Sequence, residues 1–283
     1  LERLKAYLIK AVHEAKVHTE WLKPDLAYEE AFVNFAEAIL TPADDNRFLD
    51  EFVPFARRIA RCAMFNSLGQ TLVKIAAPGI PDIYQGTELW DLSFVDPDNR
   101  RPVDYDGRRR LLGELRSAES TDRFVLLDEL LANWQDGRIK LYLMHKLLSF
   151  RRAHAELFSG GDYTPLKTAS GLMSDRICAF ARRHGGSWIV ALAPRLTGEM
   201  VFNGSLPIGE VWSRSTLALP ADAPVQWIDA VSGASIETGR GSQLALDGVF
   251  KRFPVALLYH EETADLPLSV EESTHATATQ SVS

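Results

Sequence analysis

Cysteine is scarce in this chain: Cys62 and Cys178 are the only two among 283 residues, far apart and in no CxxC spacing. That scarcity excludes a disulfide framework and a thiolate metal site, and both thiols read as small buried hydrophobes in a reducing compartment. The seven histidines are scattered and form neither an HExxH nor an HxH set, so the sequence implies no metal and no cofactor. A basic excess is also missing. With 31 basic against 38 acidic residues the formal charge is -7, and no basic stripe alternates with aromatics, which argues against a nucleic-acid partner. No apolar run approaches the roughly 20 residues that span a bilayer. Nor does a charged segment lead into an apolar one as in a signal peptide. Neither a membrane partner nor export is therefore expected, and the expected location is the cytoplasm. No internal repeat is visible.

What is present suits a folded, soluble protein: 46% hydrophobic and 24% charged residues over a length that can build two cores. Leu1, Leu4, Leu8, Val12 and Ala15 recur at three- and four-residue spacing, so the chain opens in mid-helix with no cap before it. This start predicts that the N-terminal part of a larger protein is missing; a trimmed helical domain is the alternative. Lys23-Pro24-Asp25 breaks the first helix, and a second carries Tyr28, Phe32, Phe35 and Ile39 up to Thr41-Pro42. Asp44 or Asp45 can cap a third, Arg47 to about Asn66, which Pro54 should kink or restart and Gly69 should stop. Thr71 to Ala76 reads as a strand.

A long loop follows, then helices at Arg108–Arg116 and Asp122–Asn133, and a stripe of Ile139, Leu143, Leu147 and Phe150 ending near Arg152. Helix, strand, long loop, helix is the rhythm of an α/β barrel. The runs Arg108-Arg109-Arg110 and Arg151-Arg152 read as solvated faces or local ion pairs. Beyond Ser159-Gly160-Gly161 the period shortens towards two, with strands expected at Arg176–Arg183, Ser187–Pro194, Gly198–Phe202, Val225–Asp229 and Val255–His260. Short strands with turn signals between them suggest an antiparallel β-sandwich. The expected organisation is 1–158 as part of a (β/α)8 barrel, 159–260 as the β-domain, and 261–283, rich in Ser, Thr and Glu, as a disordered tail.

The functional signal lies between Lys74 and Tyr105, KIAAPGIPDIYQGTELWDLSFVDPDNRRPVDY. Tyr84, Gln85, Glu88, Trp90, Asp96, Asp98, Asn99, Arg100, Arg101 and Asp104 fall within this one segment. Rings that stack, and carboxylates, amides and guanidiniums that bond hydroxyls, suit a neutral polyhydroxyl ligand. Loops after barrel strands are where such sites sit. The plain alternative is that Asp-Pro-Asp-Asn makes a turn and the aromatics only pack.

This segment resembles the maltooligosyltrehalose synthase family of the α-amylase (glycoside hydrolase 13) superfamily. YLIKAVHEAKVHTEW (7–21), GRIKLYLMHKLLSFRRAHAELFSGGDYTPL (137–166) and ICAFARRHGGSWIVALAPR (177–195) carry the resemblance further. GIPDIYQGTE is similar to the superfamily's segment at the eighth barrel strand, and the VDPDNRRPVDY continuation to the trehalose-forming branch. The resemblance implies an intramolecular transglycosylase that turns the reducing-end α-1,4 bond of a maltooligosaccharide into an α,α-1,1 bond. It implies retaining chemistry with an Asp nucleophile and a Glu acid/base.

In the family those acids lie upstream, the last of them in a His-Asp-Thr-Lys-Arg motif, and no such motif occurs in these 283 residues. No catalytic residue is therefore assigned here. The implied partners are a maltooligosaccharide (α-1,4-glucan) substrate and the missing N-terminal part of the same enzyme, without which the chain is expected to be inactive.

Within the loop, the resemblance gives Glu88 a supporting electrostatic role rather than proton donation. Asp96, Asp98, Asn99, Arg100 and Arg101 bind sugar hydroxyls, or an Arg101–Asp104 or Arg100–Asp96 ion pair fixes the loop. Trp90 stacks on a glucose or seals the barrel end. Trp21 reads as a buried helix-end ring, with an approach to the site as the alternative, and Trp188 as core, while Trp212 and Trp227 are left open between core and sugar platform. A hydrolase of the same superfamily and a non-catalytic carbohydrate-binding module are the competing functions.

Overall fold

Helix α3, Arg47–Ala76, organises the molecule, packing on one side against helices and on the other against a sheet. The chain is described by a computed structural model over residues 1–170 and 175–261, so the predicted disordered tail falls outside the described residues apart from Glu261. Asn46, not Asp44 or Asp45, caps α3 by accepting the Leu49 N–H at 3.1 Å. The helix runs through Pro54 without a restart and through Gly69 without a stop.

The predicted strand Thr71–Ala76 is the last part of this helix. Met64, Phe65, Leu68, Leu72, Ile75 and Ala76 recur with helical spacing and are buried. The Thr71 hydroxyl is satisfied by donating to the Ser67 carbonyl one turn back, at 2.8 Å. Gly69 sits against β4: a Cβ on it would lie 3.5 Å from the Ala193 Cβ, an ordinary packing contact, so nothing at this position requires the helix to stop. From Ala77 to Asp104 the backbone pairs with no strand among the described residues.

Ahead of α3, α1 (Glu2–Ala15) ends at Lys16 in the left-handed region, earlier than the Lys23-Pro24-Asp25 break. Asp25 then caps α2 (Leu26–Leu40). The elbow between these helices closes over a buried cluster in which His13 Nε2 lies 2.7 Å from Glu29 Oε1 and Thr19 donates to the same carboxylate. Trp21 sits edge-on to His13 at 4.4 Å but is 57% exposed and outside any helix, so it is not the buried helix-end ring expected.

After the loop come α4 (Tyr105–Thr121), α5 (Arg123–Ala132), α6 (Arg138–Ala153) and α7 (Ala155–Gly160). Asp104 and Asp122 cap α4 and α5 through their side chains.

The strands follow. β1 (Thr164–Leu166), β3 (Ile177–His184), β4 (Ser187–Pro194), β6 (Gln226–Asp229), β7 (Ser235–Glu237) and β9 (Ala256–His260) make one antiparallel sheet in the order β1-β3-β4-β9-β6-β7. β2 (Thr168–Ser170), β5 (Thr216–Ala218) and β8 (Gln243–Ala245) make a second. Four of the five predicted strands lie in the first sheet. Gly198–Phe202 is instead a short helix, α8, with Met200 and Val201 buried; so short an apolar run does not distinguish the two periods. A last short helix, α9 (Leu246–Val249), precedes β9.

The pleat of β4 divides the core. Ile189, Ala191 and Ala193 face a cluster with Leu68, Leu72, Ile139 and Leu143 from the helices. Trp188, Val190 and Leu192 face a second cluster with Leu217 and Leu244 of the small sheet. Trp188 is core as expected, and so are Trp212 and Trp227, both essentially unexposed. Cys62 is half-buried and Cys178 exposed, so Cys178 does not pack as a buried hydrophobe.

Two polar devices tie helices to sheet. Arg182 of β3 is 2% exposed and has no carboxylate partner among the described residues; it donates to the carbonyls of Phe158 and Gly161 at 2.9 and 2.8 Å. Those carbonyls at the end of α7 supply the partial negative charge that a buried guanidinium needs. The second is the turn after β6, anchored by buried Asp229. The Val231 carbonyl in that turn accepts the Tyr142 hydroxyl of α6 at 2.9 Å.

Candidate substrate-binding loop

The ten candidate residues separate into a root and a tip, each held by a different part of the chain. At the root, Glu88 pairs with Arg108 of α4 at 3.0 Å, and Arg108 also donates to the carbonyls of Gly86 and Asp104 at 2.9 and 3.1 Å. Arg108 thereby fastens both ends of the segment at once. Gly86 takes a positive φ of 88°, and a Cβ there would press on Val103 at 3.3 Å. Trp90 is half-buried; its indole N–H donates to the Trp134 carbonyl at 2.6 Å, and its ring meets Trp134 edge-on at 6.5 Å. Lys140 approaches from α6, 3.3 Å from the Leu89 carbonyl and 5.8 Å from the Trp90 ring, and burial lowers its pKa. Tyr84 and Gln85 are exposed.

At the tip, Asp98 is the centre. Arg3 of α1 grips it with two donors, Nε to Oδ1 at 2.7 Å and Nη2 to Oδ2 at 2.6 Å. The Phe94 N–H donates to Asp98 Oδ2 at 2.7 Å, and Arg101 lies 3.2 Å from Oδ1. The Tyr7 ring stacks on Phe94 at 4.8 Å, Arg3 reaches the Leu92 carbonyl at 2.9 Å, and Lys10 donates to the Asp96 carbonyl. Thus α1 is a brace for the loop, three turns of one face each supplying a contact. Arg100 pairs with Asp96, as one expectation had it; Arg101 pairs with Asp98 and not with Asp104, whose side chain caps α4. Asn99 Oδ1 is buried without a partner among the described residues.

The arrangement holds Asp98 charged. Arg3's hydrogen bonds, aided by the Phe94 N–H and the charge of Arg101, keep its carboxyl well below the ordinary carboxylate range. A depressed folded value means the contribution is present above about pH 3.9, the free-Asp value, and is lost as pH falls through the lower folded value. A carbon-detected NMR titration of the Asp98 carboxyl is expected to give a midpoint below that of free Asp. A midpoint at or above it would mean that the Arg3 grip does not form in solution.

Chemically, the loop offers exposed hydroxyl-bonding groups (Tyr84, Gln85, Arg100, Arg101) on a frame fixed at both ends, while Glu88, Asp98 and Asp104 are engaged by protein donors. Sequence reasoning missed Arg3, Tyr7, Lys10, Arg108 and Lys140, the residues that hold the frame. Arg108 stood in a run read as solvated or locally paired, which fits Arg109, paired with Asp106 at 2.6 Å, better than Arg108.

No protein-family model matches the chain. Individual proteins do. A protein of Mycobacterium tuberculosis (strain CDC 1551 / Oshkosh) named "Putative maltooligosyl trehalose synthase" is 32% identical over 259 residues, 92% of this chain and 28% of its own length. The maltooligosyltrehalose synthase structure from Arthrobacter ramosus superposes with a TM-score of 0.67 at 30% identity, over 91% of this chain and 30% of that one. The chain is similar to maltooligosyltrehalose synthases. Another structure of a maltooligosyl trehalose synthase aligns with a TM-score of 0.63 at 30% identity, covering 92% of this chain and 30% of the other. The likeness to maltooligosyltrehalose synthases therefore extends through the helices, the loop and both sheets, while the chain spans less than a third of their length.

Proposed function

We propose that the chain is the C-terminal part of a maltooligosyltrehalose synthase, contributing one wall of a glucan pocket whose reactive acids lie on preceding polypeptide. The observation that carries this reading is the similarity of helices, loop and sheets together to enzymes of that one name, at 30–32% identity over more than nine-tenths of the chain. In this reading residues 1–158 complete a (β/α)8 barrel, with Ile80 to Gln85 as its last strand. The segment lacks strand partners because its neighbours belong to that preceding polypeptide. The β-domain, 159–260, is a sandwich with a packing role.

Exposed apolar side chains support it. Phe48, Phe52, Phe55 and Ile59 form a stripe along α3 that nothing among the described residues covers, each 41–56% exposed, and Leu22, Ile80 and Leu92 are exposed further still. Such surface is what a barrel fragment presents where its other strands and helices would pack. The carbohydrate-binding-module reading loses its main support, since Trp188, Trp212 and Trp227 are all core.

In the reaction, the acids of the longer polypeptide cleave the reducing-end α-1,4 bond, and the freed glucose is held until its anomeric hydroxyl attacks the glycosyl-enzyme in place of water. The loop of this chain holds that glucose, with Tyr84, Gln85, Arg100 and Arg101 as hydroxyl partners and Glu88 acting through Arg108. The test compares products from maltopentaose. The longer polypeptide is expected to yield a trehalose-ended isomer with loss of reducing ends, and purified 1–283 to yield none. Trehalose-ended product from 1–283 alone would place the acids in this chain, and new reducing ends from the longer polypeptide would make it a hydrolase.

A further inference from the structure

A cavity of about 1050 Å³ lies outside the hydroxyl-bonding face of the loop, where α3, the end of α5 and the segment after α9 converge. Its volume is at the upper end of what small-molecule sites enclose. Its charge is the unusual feature. In a chain of formal charge -7, Arg57 and Arg61 enter from one face of α3 and Lys251 and Arg252 from the β-domain, against a single carboxylate, Asp128. Arg252 is already occupied, 3.7 Å from Asp128 and stacked over Phe124 at 4.5 Å. The side chains of Arg57, Arg61 and Lys251 have no ion pair or hydrogen bond among the described residues. Three unneutralised cations around one concavity focus a positive potential that an anion would relieve.

Apart from the amide of Gln135, the remaining lining is apolar and aromatic, chiefly Leu131, Leu206 and Trp134. A bare inorganic anion would leave that surface unused, while an apolar ligand would leave the cations unpaired. We propose that this cavity binds a phosphorylated sugar, its phosphate held by Arg57, Arg61 and Lys251 and its ring lying against Trp134. Guanidiniums suit phosphate because they donate in a planar fork, and an indole covers the apolar face of a sugar ring. Trp134 is also the residue whose carbonyl holds the Trp90 indole at the root of the loop, so the cavity shares a wall with the loop's anchorage. Ligand bound here stiffens that anchorage.

This site does not depend on the trehalose-forming reading, because it is assayed by binding and not by turnover. Calorimetric titration of the full chain in phosphate-free buffer compares glucose 6-phosphate, inorganic phosphate and glucose. Glucose 6-phosphate is expected to saturate and to bind more tightly than either half alone, with affinity falling as salt rises. Arg57 and Arg61 are exposed, so the double reversal Arg57→Glu/Arg61→Glu leaves the core intact and should weaken binding at least about tenfold. Trp134→Leu keeps the carbonyl that holds Trp90 and should reduce glucose 6-phosphate to the affinity of inorganic phosphate. Absence of saturation into the millimolar range, equal binding of inorganic phosphate by the wild type, or indifference to the double reversal would each overturn the assignment.

Discussion

Asp229→Ala is expected to lower the stability of the chain by about 3–5 kcal/mol, read as a fall in denaturant midpoint with unchanged slope. The carboxylate is wholly buried and accepts four hydrogen bonds: Oδ1 from the N–H groups of Val231 and Leu257 at 3.1 Å each, Oδ2 from the Ser232 N–H at 3.0 Å and the Ser232 hydroxyl at 2.5 Å. Removing it strands three buried amide donors, each worth about 1–3 kcal/mol when left unpaired. Burial raises the Asp229 pKa, and the four donors oppose that rise.

The damage is not confined to one turn. The Val231 carbonyl beside it receives the Tyr142 hydroxyl from α6, and Tyr142 and Lys146 both contact Glu119 of α4. Gly233 takes a positive φ of 75°, and a Cβ there would also meet the Arg123 guanidinium at 1.9 Å, so the turn needs glycine on both counts. The turn is therefore a plug seated among α4, α5 and α6, and loosening it detaches the sheet from the helices that carry the loop. Asp229→Asn separates hydrogen bonding from volume. The amide fills the same space but turns one acceptor into a donor facing Ser232, so it should cost nearly as much as alanine. A neutral asparagine would show that the pocket only needs filling.

How much of this was legible beforehand follows from range. Alternation in β4 and the helical stripe of α6 are local patterns, and both elements stand where their periodicity puts them. Thr71, Val73 and Ile75 alternate like a strand, yet the longer pattern from Met64 to Ala76 is helical. Ending the helix at Gly69 hid it, because a glycine carried inside a helix and one that ends a helix look alike in sequence. The loop stood out by composition, but its supports did not. Arg3 lies 95 residues from Asp98 and Lys140 lies 51 from Leu89, and no local spacing links such pairs. The cations around the large cavity likewise come from stretches that each read as ordinary solvated charge. Only the fold brings them to one place.

On the proposed reading, Asp98→Ala in the longer polypeptide is expected to lower kcat/KM for maltooligosaccharide isomerisation about 100-fold, the scale on which small misplacements of a site act. The reasoning turns on what Asp98 already touches. Its two oxygens are taken by Arg3, Arg101 and the Phe94 N–H, which leaves little for a sugar hydroxyl. Asp98 is therefore a positioning residue: it fixes the tip of the loop against α1, and the exposed Arg100 and Arg101 inherit their placement from it. Arg3→Ala should then produce a loss of similar size although Arg3 belongs to a different element, and the double variant should be no worse than either single one. Arg100→Ala, which removes an exposed pair with Asp96, should change stability little and act on KM if Arg100 meets the sugar. Additive losses from Arg3→Ala and Asp98→Ala would instead mean that each side chain acts on the substrate independently, and the bracing role of α1 would fall with them.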